Sequence, residues 1–416
     1  MKKLYKSILF SLIASSALHA QSLKQIIDIS LQNNNNIKSM QFLNQSKQKS
    51  YDSVSNVYNP SVTLGANYTK LDMDIRSVQV GDTTVGFVKV GISLYDGGKN
   101  KAIKNQKLYE YKSSQFDLQR SQKELVLQVV TLFYQIKSIQ ENINALYEKS
   151  DTLDAQLKRV KLKYEINMVT QDEVLKLQSE YESNRYMIEE LKYQKSSMMN
   201  NLSILAGSKI DTLDNSVLPT VDNLQYQQSE NIKSLSQNIK ALDENVKVVS
   251  SIKKPQLKIE DSLSVYEYSD YNEQLLKDLP NKQNQLMLSL SYNLFDTSSK
   301  SKKEVAILQK MAKKEQLEQL KKQEEVDFEL SKLKLKTQEL KIKSSKSALD
   351  MASSLYDIVK IKYQNGVVDN ITYLDALDKK TINLALYKQA LNDYEIAKAN
   401  YYFNSGVNYK EFLHRF

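Results

Sequence analysis

Cysteine and tryptophan are absent from this 416-residue chain, proline occurs 4 times, glycine 9 times, and the 2 histidines are His19 and His414. Average usage would place roughly 29 glycines and 21 prolines in a chain of this length, so a turn-rich all-β fold is excluded. Without cysteine there are no disulfides, thiol nucleophiles, thiolate metal sites or lipid anchor on a processed N-terminal cysteine, and two histidines leave little material for imidazole acid–base chemistry. An enzyme would have to run on carboxylates, lysine, tyrosine or serine, yet carboxylates fall at helix-surface spacing throughout and no Gly-rich phosphate loop or metal-ligand cluster organises them. The reading is therefore non-enzymatic, with no cofactor. No internal run approaches the ~18 to 20 uninterrupted apolar residues of a transmembrane helix, so any bilayer crossing must be β.

What is present is a long alternation of charged (26%) and hydrophobic (41%) residues, the composition of a folded, mostly helical chain. The formal net charge of +9 includes Lys2, Lys3 and Lys6 of a leader segment; about +6 remains without them. That excess is diffuse, and the lysines of Lys300 to Lys346 alternate with Glu and Gln as on a solvated helix face, not in the basic and aromatic clusters of a nucleic-acid surface. Residues 1–20 have a basic start, an apolar core from Ile8 to Ile13 and small residues ending Ala17-Leu18-His19-Ala20, which reads as a secretory signal peptide. Cleavage after Ala20 places bulky Leu18 at the −3 position; cleavage after Ala17 is the alternative.

The mature chain reads as one unit written twice. Ile37-Lys38-Ser39 followed by Pro60 is mirrored by Ile232-Lys233-Ser234 followed by Pro255, an offset of 195. Leu94-Tyr95-Asp96 corresponds to Leu294-Phe295-Asp296, Lys163-Tyr164 to Lys362-Tyr363 and Ala206-Gly207 to Ser405-Gly406, at offsets of 199 to 200. Such self-similarity marks two copies of one structural unit. The expected organisation is a first repeat over 21–207, a linker over 208–223, a second repeat over 224–406 and a tail over 407–416. Each repeat reads helix, β-hairpin (about 61–95 and about 256–295), long helix and returning helix.

The hairpins show in period-two alternation. Val62, Leu64, Ala66 and Tyr68 oppose Thr63, Gly65, Asn67 and Thr69; Val88, Val90, Ile92 and Leu94 oppose Lys89, Gly91 and Ser93; Leu286, Leu288, Leu290, Tyr292 and Leu294 oppose Ser289, Ser291 and Asn293. The fourth strand, Leu257 to Val265, is interrupted on its apolar face by Asp261. After Asp96 the period changes. Leu125, Val129, Leu132, Ile136, Ile139, Ile143 and Leu146 step by four and three, continued by Leu153, Leu157, Val160 and Tyr164, the seam of a coiled coil. The second copy places Phe328, Leu335, Ile342, Leu349, Tyr356 and Tyr363 at sevens. A helix from Lys99 to Glu165 would be roughly 100 Å long at 1.5 Å per residue.

The fold expected is mainly α with a small β part: a long antiparallel helical coiled-coil barrel plus a β-barrel shared between subunits. Four strands cannot close a membrane barrel, which needs at least about eight, and open edges cannot face lipid. At this point the chain resembles the TolC-type outer-membrane efflux proteins, the outer membrane factors. The resemblance runs from about Leu23 to Gly406 and is most specific at Tyr363-Gln-Asn-Gly366-Val-Val-Asp-Asn-Ile-Thr372-Tyr-Leu374-Asp375-Ala376, similar to the family's periplasmic helix-turn-helix tip. It implies a homotrimer with four strands per chain and twelve per trimer, located in the outer membrane with a periplasmic extension. The trimer would act as the exit duct of a tripartite efflux or type I secretion system, its partners a periplasmic adaptor and an inner-membrane transporter. Substrate class is left open. The rival from another class is a periplasmic coiled-coil scaffold that forms no channel; it accounts for the heptads but not for the strands or the duplication.

Gly366 suits the turn between the two helices because glycine takes a left-handed C-cap without strain, and Asn167 stands at the equivalent place in the first copy. Such tips are where adaptor hairpins would dock, with Asn167, Met168, Val169, Gly366, Val367 and Val368 as contacts. By the resemblance, Asp375 matches an aspartate lining the constricted periplasmic aperture. It reads equally as a carboxylate stabilised by the helix dipole in a first turn. Thr372 stands where the best-known members have a second acidic residue, so a single acidic ring is expected. The resemblance further matches Tyr363 and Glu173 to a tyrosine–acid latch that closes the tip. Val368 replaces the companion arginine, leaving Tyr363 to Glu173 and apolar packing to hold closure.

Overall fold

The computed structural model describes residues 21–55, 60–72, 79–219 and 223–414; the leader segment 1–20 lies outside them. In chain order the elements are α1 (Leu23–Asn33), α2 (Asn35–Ser53), β1 (Ser61–Lys70), β2 (Asp82–Tyr95), α3 (Lys99–Glu165), α4 (Gln171–Ala206), α5 (Glu230–Ser250), β3 (Gln256–Ser269), β4 (Lys282–Ser291), α6 (Thr297–Gln364), α7 (Asn370–Asn404) and α8 (Tyr409–His414), with one 3-10 turn at Ser251–Lys253. The order helix, two strands, long helix, returning helix thus occurs twice. α3 is 67 residues long and α6 68. Neither contains glycine or proline, the two residues most unfavourable inside a helix. Among the described residues no helix is long and apolar enough to cross a membrane.

Two compact units cut across the repeats: residues 41–118 with 230–321, and residues 1–40 with 119–229 and 322–416. The first unit holds one antiparallel sheet in the order β1-β2-β3-β4, so β1 and β4 are both edges. Register sets Val62 opposite Val90, Leu64 opposite Val88, Val88 opposite Leu263 and Ile259 opposite Leu288. These rows share one face, and it is uncovered: Val62 is 68% exposed, Leu64 81%, Leu286 70% and Leu290 72%. The other face is polar, with Lys89 paired to Glu260 at 3.7 Å, and Phe87 lying over Gly65, where an added Cβ would meet the ring at 2.5 Å. β3 runs 14 residues straight through Asp261, which is exposed in the row Val90–Asp261–Leu286. β4 ends at Ser291, so Tyr292 and Leu294 of the expected alternation lie beyond it. In the same unit α5 packs through Ser234, whose hydroxyl meets Ser113 at 2.9 Å and donates to Asp117 at 2.8 Å, and through Asp243, which accepts from Lys310 at 2.9 Å.

The second unit contains the coiled-coil seams. Ile143, Leu146, Leu153, Leu157 and Val160 are all buried, as the heptad requires. Between Leu125 and Ile136 burial is broader than a seam: Val126, Val130, Phe133 and Tyr134 are also buried. A covering segment explains this in part. Tyr134 donates to the Ser216 carbonyl at 3.1 Å, the Leu218 N–H donates to Glu395 at 2.9 Å, and Lys398 donates to the Leu218 carbonyl at 3.0 Å. Burial and the Glu395 carboxylate push the Tyr134 phenol strongly up. Residues 407–414 are no loose tail: α8 puts Phe412 at 0% exposure, its ring 4.8 Å from that of Tyr402. The first helix is broken at Asn34, whose carboxamide oxygen accepts the Asn36 and Ile37 N–H groups and so starts α2.

Lys398 and Glu395 form an enclosed ion pair in this unit, 2.8 Å apart with side chains 7% and 13% exposed. Removing one member strands the other charge. Lys398→Ala should cost about 3 kcal/mol, read as a clear fall in thermal midpoint, whereas Lys321→Ala at an exposed pair should cost less than about 0.5 kcal/mol.

Candidate functional site

Both long helices end in the same way, within the second unit. The Gly366 N–H donates to the Tyr363 carbonyl at 3.1 Å and the Val367 N–H to Lys362 at 2.8 Å; the Asn167 N–H donates to Tyr164 at 2.9 Å and the Met168 N–H to Lys163 at 2.9 Å. This double bond pattern is the Schellman motif, which needs a left-handed residue at its corner. Gly366 has φ 74° and Asn167 φ 55°. After each turn a polar residue restarts the chain: Thr170 precedes α4, and Asp369 precedes α7, its carboxylate accepting the Thr372 N–H at 2.9 Å.

The turns leave Met168 and Val367 67% and 68% exposed, while Val169 and Val368 turn inward. The inward pair packs against a cluster made by Leu153, Leu157, Leu177, Tyr356, Tyr373 and Leu377. Both expected contact triplets therefore split into two exposed positions and one that packs inward. Tyr363 is half-buried, its ring stacked on Tyr373 at 4.7 Å and 18°. The Tyr356 and Tyr373 hydroxyls meet at 3.4 Å.

Burial raises the Tyr363 phenol, the Glu173 carboxylate raises it further, and the Arg159 guanidinium opposes both. Tyr363 and Glu173 are thus brought within electrostatic reach, though no hydrogen bond joins them among the described residues. Arg159, on α3, was not anticipated; it brings a cation to the phenol although the position of the companion arginine is occupied by Val368. Asp375 is exposed and bonded to Lys379 of its own helix at 2.6 Å. The first turn of α7 holds no acid, so the dipole reading of Asp375 does not apply: it lies beyond the turn in which the helix end acts. Thr372 is exposed.

A second charged group lies farther along the same helices. Lys149, its side chain 10% exposed, reaches Asp378 at 2.5 Å and Glu180 at 3.5 Å, tying α3 to both returning helices. Sequence periodicity gives no sign of it, since a lysine on a Lys-Glu-rich helix reads as solvated. Among the described residues no group of three or more His, Cys, Asp or Glu side chains could hold a metal ion.

Residues 26–208 match the family model described as outer membrane efflux protein. That segment, less than half of the chain, is what resembles the family. No curated protein sequence matches it. Solved structures extend the likeness beyond that segment to both halves of the chain. A membrane protein from Pseudomonas aeruginosa superposes with a TM-score of 0.81 at 14% identity, over 92% of this chain and 90% of its own. The Campylobacter jejuni CmeC outer membrane channel gives 0.79 at 18% identity over 94% and 89%, and the outer membrane protein VceC from Vibrio cholerae 0.79 at 12% over 93% and 96%. At these identities the likeness shows the fold: helices and a four-stranded sheet arranged as in outer-membrane channels. The matched segment runs from within α1 to just after Ala206, the last residue of α4, and so takes in one helix–hairpin–helix–helix copy.

The tyrosine cluster sets a pH dependence for the tip. The Tyr363 and Tyr373 phenols are raised above their ordinary value of 10.0, mainly by burial. A raised acid binds its proton more tightly when folded, so this stabilisation is complete below about pH 10 and is lost as pH rises through the folded values. Thermal midpoints should fall above pH about 10, and Tyr373→Phe should flatten that alkaline slope; an unchanged slope would show that these phenols do not titrate with unfolding.

Proposed function

We propose that this chain is the subunit of an outer-membrane exit duct, part of a tripartite efflux or type I secretion system, passing substrate rather than transforming it. The observation that carries this reading is the sheet, with four strands, two unpaired edges, one polar face and one exposed apolar face. In hydrocarbon every backbone donor and acceptor must be paired, so such a sheet becomes compatible with lipid by joining edge to edge with copies of itself until it closes. Three copies give twelve strands. Strands of 10 to 14 residues suit the roughly 9 to 11 that a tilted membrane strand needs.

The helices also support association. α6 exposes Val326, Leu333 and Leu340 at 53%, 61% and 62%, spaced by sevens, and farther along Met351 and Ile358 at 63% and 53%. One chain leaves this second seam bare, and a neighbouring copy would cover it. In the trimer the tips would form the periplasmic entrance. Met168, Val367, Asn167 and Gly366 would offer the surface an adaptor docks on, with Val169 and Val368 holding the turn against the core. Asp375 would supply the single acidic ring of the aperture, with Thr372 neutral beside it. Closure would rest on Tyr363 held between its stack on Tyr373 and the Glu173 charge, with Arg159 as counter-charge and the Lys149–Asp378 bridge fastening the hairpins farther along. The inner-membrane transporter that delivers substrate would determine its class.

The test is conductance of the detergent-extracted protein in a planar bilayer, with oligomeric mass measured on the same sample. A trimer with a small conductance is expected. Tyr363→Phe should raise that conductance severalfold; no change would remove the latch. Asp375→Asn should lower the preference for cations over anions, and because Lys379 already offsets part of the charge, the loss should be larger in Asp375→Lys. A soluble, non-conducting protein would end the duct reading.

A further inference from the structure

One end of the sheet is basic and the other acidic. Strand register aligns the end of β2, the start of β3 and the end of β4: Tyr95 opposes Leu257, Leu257 opposes Leu290, and Gln256 opposes Ser291. The segments joining the sheet there carry Lys99 and Lys101 on α3, Lys254 ahead of β3, and Lys300, Lys302 and Lys303 on α6, all exposed. Gly97 and Lys254 are in contact, since a Cβ on Gly97 would lie 2.6 Å from that of Lys254. At the opposite end the connections carry Asp72, Asp82, Asp270, Glu273 and Asp278 against Lys70, Lys277 and Lys282.

None of the six lysines forms a salt bridge among the described residues, whereas Lys47, Lys107 and Lys310 of the same unit do. Few acids are at hand. Asp96 gives both its oxygens to backbone N–H groups, of Gly98 and Asn100. Asp296 accepts from Ser298 and lies within electrostatic reach of Lys302. α3 has no acid before Glu110, and Glu304 is the first on α6. Lysine in the first turns of a helix also opposes the helix dipole. The fold gains little from these charges where they stand.

Their surroundings point to what does. Beside them stands the exposed apolar face, rimmed at this end by Tyr95, Tyr292 and Phe295, which are 48%, 55% and 86% exposed. Aromatic residues at the edge of an apolar band mark a membrane–water interface. A lipid with its chains along Leu288 and Leu290 would bring its headgroup to the level of the lysines. An anionic headgroup would be held there by charges that form no salt bridge among the described residues.

We propose that the basic end of the sheet is a binding surface for anionic phospholipid headgroups of the adjoining leaflet. This rests on the reading of the sheet as membrane-inserted. The test uses the full detergent-extracted protein in native mass spectrometry, with phosphatidylglycerol and phosphatidylcholine offered in competition and inorganic phosphate as a third arm. Each lysine near an anionic surface is worth roughly fivefold in binding. Phosphatidylglycerol should be retained preferentially, and the variant Lys99→Gln/Lys101→Gln/Lys300→Gln/Lys302→Gln should lose at least about tenfold of that preference. The control Lys332→Gln/Lys334→Gln/Lys336→Gln/Lys343→Gln should lose none. In the unmodified protein the preference should also fall as salt rises from about 50 to about 500 mM, a readout independent of any variant's folding. Equal retention of the two lipids, an unaltered preference in the quadruple variant, or displacement of phosphatidylglycerol by inorganic phosphate would each overturn the proposal. Retention of neither lipid by the unmodified protein would instead count against membrane insertion, and the proposal would fall with it.

Discussion

On the proposed duct reading, backbone hydrogen bonding in a medium without water is the constraint on which this molecule turns. A helix satisfies its own amides, but a strand depends on a neighbour, and β1 and β4 each have a neighbour on one side only. In water such edges are tolerable. Next to an apolar face with Leu64 at 81% and Leu290 at 72% exposure they are an unfinished structure, stable once other strands complete it. On the proposed reading, association would complete the fold. The same demand would account for the alternation within the strands, because closing the sheet as proposed would put one face toward lipid and the other toward a lumen. Lys89, Glu260 and the serines of β3 would then line the wet side.

The tips meet a different demand: two long helices must reverse direction in five residues, twice. The Schellman turn solves this locally by returning two N–H groups to the last helical carbonyls. Asn167 and Gly366 both sit in the left-handed region, which costs a branched residue far more than either of them. Reversal alone does not orient the hairpins. That falls to Tyr356, Tyr363 and Tyr373, whose rings contribute large apolar area and whose hydroxyls keep the packing polar at one point. Burial and the Glu173 charge raise the Tyr363 phenol, and Arg159 opposes them.

Periodic features were readable from the chain, because alternation and heptads are direct imprints of burial. α3 begins at Lys99 and ends at Glu165 as its pattern indicates, and four strands form within the alternating segments, β4 stopping short at Ser291. Asp261 shows the limit of that logic. Alternation treats an acid on the apolar face as an interruption, but ten paired residues with β4 and thirteen with β2 carry the strand through it. Contacts between residues far apart in sequence were not readable. Lys149 with Asp378, Lys398 with the Leu218 carbonyl and α8 folded onto Tyr402 all depend on elements brought together over 180 or more residues or by a local return of the chain that no period announces. Arg159 was missed for a related reason: the resemblance directed attention to position 368, and the charge came from another helix.

The bare apolar stripes show that the coiled coil has two kinds of seam. Leu153, Leu157, Tyr356 and Val359 meet within one chain and are buried. Val326, Leu333 and Leu340, on the same helix as Tyr356, hold the same seven-residue spacing but stay exposed. A helix with a single seam belongs to a pair, whereas a helix with two seams on different sides can only be one stave among several, since no single partner covers both. α6 is such a helix. Its weaker heptad signal at Leu335, Ile342 and Leu349, all half-buried, follows from apolar residues being divided between two faces. The irregular heptads of the second copy are thus what the proposed ring would require of its subunit.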